Sequence, residues 1–351
     1  MFLGPIVLAR EAEQLEEERA APPGGYWGMT KRPILAAILS LPLLSAGVPA
    51  VAQGGPGLSV TLPENVSKAQ LGERDMEVLA VQIMLDRSNH SPGVIDGFNG
   101  GNTQRAVAAF RRNHGMSEDG GIDTEFLRAL LEQETGEMFR TYTISQDDVD
   151  GPFYDVPSDF AEQADMARVG FETPREMLAE RFHMDQEFLA ALNPDADFSR
   201  AGEEIVIVAR GRRNLAGEVA RIEVRKERGE VAALDASGAE LATFPATIGS
   251  SEFPSPSGSM TVSAVAPEAN YTFDPEDQRW GPDKTFIIPP GPNNPVGGIW
   301  IDLGKDGYGI HGSPDPQLIG KTASHGCVRL TNWDAQALAD AVSQGVEVVF
   351  V

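Results

Sequence analysis

The chain has a single cysteine, Cys327, so no internal disulfide holds its fold and the thiol has no partner within the sequence. Histidine is scarce as well: there are five in 351 residues, and two of them, His311 and His325, lie within sixteen residues of that cysteine. Positive charge is in deficit. With 28 Lys and Arg against 52 Asp and Glu the formal net charge is -24, and the repulsive field this creates at long range excludes nucleic acid as an expected partner. Long uninterrupted apolar runs are also missing. The most apolar stretch, between Arg32 and Gln53, is broken by Pro33, Pro42 and Pro49 and falls short of the roughly 20 residues that a membrane-spanning helix requires.

That stretch has the order of parts of a secretory signal. Lys31 and Arg32 precede the apolar segment, and the small-x-small ending Ala50-Val51-Ala52 stands before Gln53, which predicts a signal peptide over 29–52 and an exported, periplasmic protein. An uncleaved anchor is the alternative. Residues 1–28, with the acidic block EAEQLEEE, read as a non-structural extension ahead of the signal's own methionine. An exported thiol without a partner calls for a chemical role rather than a structural one.

The remaining length exceeds one hydrophobic core and predicts several domains. Over 73–135, Met76, Leu79, Gln82 and Leu85 keep a helical period; the turn SPGVIDGFNGGN breaks it, with Asn102 expected as a cap. Ala106, Val107 and Phe110 then share a second helical stripe, and a third helix is expected at about 123–131. Residues 136–169, rich in Asp, Pro and Gly, read as a linker. Over 170–210, Thr173-Pro174-Arg175-Glu176 has the form of a capping box with proline at the first helical position, a second helix follows over 185–192, and EIVIVA at 204–209 reads as a strand. His183 reads as a partly buried bystander. From 215 to 351 the pattern turns to short alternating strands, interrupted by one helix over 332–343, so a predominantly β domain is expected to carry its chemistry on loops.

The chemistry-bearing residues cluster in GIHGSPDPQLIGKTASHGCVRL, residues 309–330. A chain return between His311 and Cys327 would bring imidazole and thiol face to face, and such a pair lowers the thiol's pKa by setting thiolate beside imidazolium. His325 is two positions from Cys327, the same face of an extended segment. Gly312 and Gly326 allow substrate to approach closely and leave their amides free as oxyanion donors. Two other readings of these residues stay open: a metal held by His311, His325 and Cys327, although no fourth ligand with recognised spacing lies nearby, and an inert buried thiol.

Three resemblances follow from these motifs. The pattern V-x-x-x-Q-x-x-L, then G-V-I-D-G-x-x-G-x-x-T-x-x-A-V-x-x-F-R, resembles the three-helix peptidoglycan-binding domain over 73–135. TPREMLAERFHMDQEFLAALNP followed by G-x-x-I-x-I is similar to a LysM module, an α+β unit, over 170–210. Residues 215–351 resemble the L,D-transpeptidase catalytic domain of the YkuD family, with His311-Gly312 and Ser324 to Leu330 (SHGCVRL) intact. FPATIG at 244–249, PSPSG at 254–258 and NPVG at 294–297 support the match, although the family more often has threonine where Ser255 and Ser257 stand. The resemblance implies a YkuD-like β-sandwich preceded by the two smaller modules. It also implies Cys327 as nucleophile, His311 as general base, His325, Gly326 and Ser324 in and around the oxyanion site, and the Gly312 carbonyl as the group orienting His311. Arg329 would pair with a substrate carboxylate or hold the loop. No cofactor and no metal are implied. The implied partners are peptidoglycan stem peptides and glycan; the implied reaction is acyl transfer from a tetrapeptide stem to a diamino-acid amine, giving 3-3 cross-links. Water as acceptor would make the site a carboxypeptidase, an envelope protein's lysine would make it a ligase, and a non-catalytic wall-binding protein is the reading of a different class.

Overall fold

The computed structural model describes residues 58, 61–62, 66–133, 136–211, 215, 217–249, 254–276, 283–305, 307–324 and 326–351. The expected extension 1–28 and signal 29–52 lie outside the described residues.

Three helices come first: α1 (Met76–Arg87), α2 (Gly101–Asn113) and α3 (Thr124–Gln133). Asp75 caps α1 by accepting the amides of Glu77 and Val78, which satisfies two of the donors a helix start leaves open. Asn102 does not cap α2. Gly100 occupies that position, and Asn102 sits inside the first turn, where its Nδ2 donates to the Ile319 carbonyl at 2.8 Å. One face of α1, through Val81, Met84 and Leu85, packs with Ala106, Val107 and Phe110 of α2 and Phe126 and Leu130 of α3. Its other face, through Leu79 and Ile83, packs into a second core. A helix apolar on both sides is a buried helix, so α1 belongs to two modules at once.

The second core is built on β1 (Phe139–Thr143), α4 (Gln146–Asp150), α5 (Phe160–Ala164), α6 (Pro174–Arg181), α7 (Gln186–Leu192) and β2 (Glu204–Val208). β1 and β2 pair antiparallel from Phe139↔Val208 to Thr143↔Glu204, so residues 136–169 contain a strand and two short helices. Thr173 Oγ1 accepts the Glu176 amide at 3.1 Å with Pro174 opening α6, while Glu176 Oε2 reaches back one residue further than expected, to the Glu172 amide at 2.6 Å.

The C-terminal region is β-rich. Its strands are β3 (Arg221–Arg225), β4 (Glu230–Leu234), β5 (Glu240–Pro245), β6 (Thr247–Ile248), β7 (Gly258–Thr261), β8 (Ala264–Pro267), β9 (Tyr271–Phe273), β10 (Phe286–Ile288), β11 (Ile299–Asp302), β12 (Gly309–His311), β13 (Val328–Arg329) and β14 (Glu347–Phe350), with α8 (Asn332–Ala341) before the last. One five-stranded sheet runs β5-β4-β3-β14-β7 and another β6-β13-β12-β11-β8; β9 and β10 form a separate hairpin. Ile222, Val224 and Val231 of the first sheet share one apolar core with Ile301, Ile310 and Val328 of the second and with Leu338 of α8. Each such fully buried aliphatic side chain contributes about 1.5–3 kcal/mol.

The two N-terminal modules pack on this region through polar contacts. Arg112 of α2 meets Glu230 at 2.6 Å and Glu240 at 2.9 Å, and Arg225 binds the same two carboxylates at 2.7 and 2.8 Å, so each charge taken out of water has a partner. Ser91 and Thr243 link the backbones of the first module and β5, the Ser91 amide donating to the Thr243 carbonyl at 2.9 Å. Val169 donates to the Pro290 carbonyl at 3.1 Å and accepts the Asn293 amide at 3.1 Å.

Candidate active site

β12 and β13 run parallel at the middle of their sheet, with Ile310 paired to Val328 and His311 to Arg329. Ile310 and Val328 point into the core, at 0% and 1% exposure. By strand alternation His311 and Arg329 take the opposite face, and Cys327, immediately before β13, shares it with them. Two positions along and one strand across put the Cα atoms of Cys327 and His311 about 8 Å apart, a span their side chains can close. Trp300, paired to His311 from β11, stacks on the imidazole at 5.5 Å and 20° between planes.

His311 Nδ1 lies 2.7 Å from the Gly312 carbonyl. A carbonyl only accepts, so Nδ1 carries the proton and donates, which leaves Nε2 with its lone pair. Burial, together with the Arg329 guanidinium, pushes the His311 pKa down to about 3. The Cys327 thiol is pushed up, by burial above all, against the smaller opposing pull of the Gly309 backbone and Arg329. The resting pair is therefore neutral thiol and neutral imidazole, not the thiolate and imidazolium expected from sequence. The reason is that a cation stands beside the imidazole and burial acts on both groups, whereas an ion pair here would need solvent or a carboxylate to stabilise the imidazolium. The thiol donates to the Gly307 carbonyl at 3.3 Å.

The loop before β13 is held from three sides. The Ser324 amide donates to the Gly249 carbonyl at 3.1 Å, Ser324 Oγ donates to the Cys327 carbonyl at 2.6 Å, and Ser255 Oγ donates to the Gly326 carbonyl at 2.8 Å. Gly326 has φ +113°, a conformation that L side chains rarely adopt. Gly312 is restricted by space instead, since a Cβ there would lie 2.3 Å from Asn332 Oδ1. Arg329 keeps a buried Nε that makes no hydrogen bond. The structure thus places Cys327, His311 and Arg329 on one face of the β12–β13 pair, with Gly312 directly after β12 and Ser324 and Gly326 in the loop that leads into β13; His325 lies outside the described residues. Among the described residues no three His, Cys, Asp or Glu side chains converge as a metal site would require.

The sequence reading missed Trp300, Ser255 as a loop anchor, and Asn332. Asn332 opens α8, accepts the Ser313 amide on Oδ1 at 2.9 Å, and donates through Nδ2 to the Pro292 carbonyl at 3.1 Å. Its place directly after the SHGCVRL motif and Thr331 was the available signal.

Residues 220–351 match the YkuD family model, described as the L,D-transpeptidase catalytic domain, and residues 74–130 match the model described as "Putative peptidoglycan binding domain". This chain therefore carries a YkuD-type L,D-transpeptidase catalytic domain. It is 43% identical over 70 residues to "Putative L,D-transpeptidase YkuD" of Bacillus licheniformis, an alignment covering 19% of this chain and 42% of that protein. To "Probable L,D-transpeptidase ErfK/SrfK" of Escherichia coli it is 34% identical over 113 residues, covering 31% of this chain and 36% of that one. The chain thus spans less than half the length of either relative. The structure titled "L,D-transpeptidase from Mycobacterium smegmatis" aligns at 18% identity and a TM-score of 0.31, over 43% of this chain and 74% of that one. The transpeptidase domain's two sheets and the Cys327–His311 face lie within the matched range, and the peptidoglycan-binding match covers α1, α2 and most of α3. A match to a peptidoglycan-binding domain points to an extracytoplasmic location. Among the described residues no helix is long and apolar enough to cross a membrane.

Proposed function

We propose that the chain is a cysteine-dependent L,D-transpeptidase that forms 3-3 cross-links between peptidoglycan stems. The observation that carries this reading is the shared face of Cys327 and His311 on the neighbouring parallel strands β13 and β12, two register positions apart, with the imidazole neutral and tied through Nδ1 to the Gly312 carbonyl. Cys327 Sγ attacks the carbonyl that joins the diamino acid of a tetrapeptide stem to terminal D-alanine, and the thiol proton passes to His311 Nε2. The C–N bond breaks, D-alanine leaves with that proton on its amine, and a thioester remains on Cys327. The side-chain amine of a second stem then attacks the thioester, the C–S bond breaks, a new amide forms, and the amine's proton returns by way of His311 to the thiolate. The amides about Gly326 and Cys327, together with His325, serve the oxyanion, and Ser324 and Ser255 hold that loop in shape. Arg329 receives a substrate carboxylate.

The N-terminal modules hold the enzyme to its polymer and raise the local concentration of stems. The β1–β2 pair with α6 and α7 between its strands supports reading the middle unit as LysM-like. The segment 29–52 directs export to the periplasm.

The test is product analysis by mass spectrometry with mature enzyme and a tetrapeptide muropeptide. D-alanine release together with dimers linked through two diamino-acid residues is expected, and Cys327→Ala should abolish both. Tripeptide monomers alone, over a range of acceptor concentrations, would replace the cross-linker with a carboxypeptidase; attachment only to an added envelope protein would make it a ligase. Parent-rate release by the alanine variant would remove Cys327 as nucleophile.

A further inference from the structure

The helix α6 of the middle module reaches the transpeptidase domain at Glu180. Asn332 Nδ2 donates to Glu180 Oε1 at 3.2 Å and Oε2 at 3.1 Å. The same nitrogen donates to the Pro292 carbonyl at 3.1 Å, and on the other end of the amide Oδ1 accepts from Ser313 at 2.9 Å. The amide fits against two glycines: a Cβ at Gly297 would lie 1.9 Å from Oδ1, and one at Gly312 would lie 2.3 Å away. Gly312 in turn presents the carbonyl that takes the proton of His311 Nδ1. An unbroken line of contacts therefore runs from Glu180 through Asn332 and the Gly312–Ser313 backbone to the imidazole.

We infer that Glu180 is a positioning residue for His311, a carboxyl group supplied by the middle module that fixes the Asn332 amide and with it the backbone on which the imidazole is aimed. The inference rests on the transpeptidase reading of the site. Asn332 Nδ2 has two hydrogens. Pro292 takes one and Glu180 the other; without Glu180 the second would face a cavity of about 570 Å³ whose wall Glu180 forms. An amide held at three points has one position, whereas an amide held at two can swing with the loop. A general base misplaced by a fraction of an ångström loses rate without losing substrate affinity.

The surroundings explain the state of the carboxyl. Glu176 on the same helix, Glu172 before it, Asp185 and Glu187 around the start of α7 and Asp315 from the loop after His311 line the same cavity, and among the described residues no cation does. The Glu180 side chain is only half-buried by accessible area, since the cavity reaches it, yet it lies deep enough among protein atoms for burial to push its pKa up to about 8, with Glu176 adding to the rise against the Asn332 hydrogen bond. At neutral pH it is therefore a protonated acid whose carbonyl oxygen accepts from Asn332. Glutamine reproduces that acceptor, which makes Glu180→Gln the conservative replacement, whereas Glu180→Asp retains the acid but withdraws it by one methylene.

Steady-state kinetics of the full mature chain on a tetrapeptide muropeptide test this, with thermal unfolding followed for every variant. E180A and E180D should lower kcat about tenfold or more with KM within about twofold, and E180Q should restore kcat to within about twofold of the parent. If E180A does not fold, the comparison of E180D with E180Q decides alone. Parent kcat in a folded E180A or E180D, a loss lying wholly in KM, or an E180Q as impaired as E180D would overturn the inference. C327A run alongside separates the two levels: release of D-alanine by that variant refutes the transpeptidase reading, while an inert C327A beside a fully active E180D refutes only the role of Glu180.

Discussion

The imidazole of His183 lies flat on the indole of Trp333, with ring centres 5.1 Å apart and planes 8° from parallel. The two rings come from different modules, the turn after α6 and the first turn of α8, so the stack joins the middle unit to the helix that follows the SHGCVRL motif. On its other side His183 Nδ1 lies 2.9 Å from Asp86 of α1. A residue expected to be a bystander thus links three elements. It is buried, at 3% exposure.

Replacing His183 by alanine removes the stack and the Asp86 bond together, and should cost about 2–4 kcal/mol of unfolding free energy. His183→Phe keeps a ring for Trp333 and should recover part of that loss. Urea denaturation followed by tryptophan fluorescence measures both. An alanine variant as stable as the parent would mean the stack is incidental.

A neutral thiol beside a neutral imidazole makes a distinct prediction for reactivity. Burial raises the Cys327 pKa, and His311, lowered to about 3, offers no imidazolium near neutrality to stabilise thiolate. Alkylation of Cys327 by iodoacetamide should therefore climb with pH through 8 and beyond, without a plateau near neutrality. His311→Gln should leave that profile almost unmoved while lowering turnover of substrate about 10²–10⁴-fold, the range for loss of a general base. A neutral-pH plateau abolished by the His311 change would instead reveal a preformed ion pair.

The contrast between these two residues and Glu180 shows what local sequence can carry. His311-Gly312 and SHGCVRL are contiguous strings whose order is the chemistry, and the amphipathic stripe of α2 repeats along one segment, so both are readable from the chain alone. Glu180 and Asn332 are 152 positions apart, and nothing in either neighbourhood announces the other. Strands of two or three residues such as β6, β12 and β13 are too short to establish a period, and β7 and β8 are separated by only Val262 and Ser263, so their boundary has no sequence signal. The double use of α1 was hidden for a related reason: apolar residues on both faces say that a helix is buried without saying against what.

Acid should weaken the interface between the first module and β5. His90, whose neighbour Ser91 donates its amide to the Thr243 carbonyl, has its pKa lowered by burial to about 4. A depressed folded-state value means that the unfolded chain takes up a proton first. The contribution is present above about pH 6.5 and lost as pH falls through about 4, and a shift of this size corresponds to about 3 kcal/mol. His311 acts in the same direction over this range, whereas Asp148, held down to about 2 by Tyr142, the Ser145 backbone and Arg181 against burial, adds its loss only below about pH 4. Unfolding midpoints between pH 7 and 4 should therefore fall steeply in the parent and less steeply in His90→Asn. Parallel curves would show that His90 titrates alike in both states.

Arg329 is the charged group of the site whose buried Nε is left without a hydrogen bond, although it is paired in register with His311. A guanidinium in that position can receive a carboxylate, and such a charge-assisted bond contributes about 1.5–3 kcal/mol, or roughly 10–100-fold in binding. Arg329→Gln should raise KM by that factor on a free-acid stem peptide. On the same peptide with its terminal carboxylate converted to carboxamide, parent and variant should differ little, because the partner has already gone; the two changes together form a cycle that isolates the contact. The variant should also let the His311 pKa rise from about 3, since the guanidinium is one of the two causes holding it down, and NMR titration of the imidazole reads this without substrate. Equal losses on acid and amide peptides, with His311 moved as expected, would assign Arg329 to tuning the imidazole and shaping the loop and take the carboxylate contact away from it.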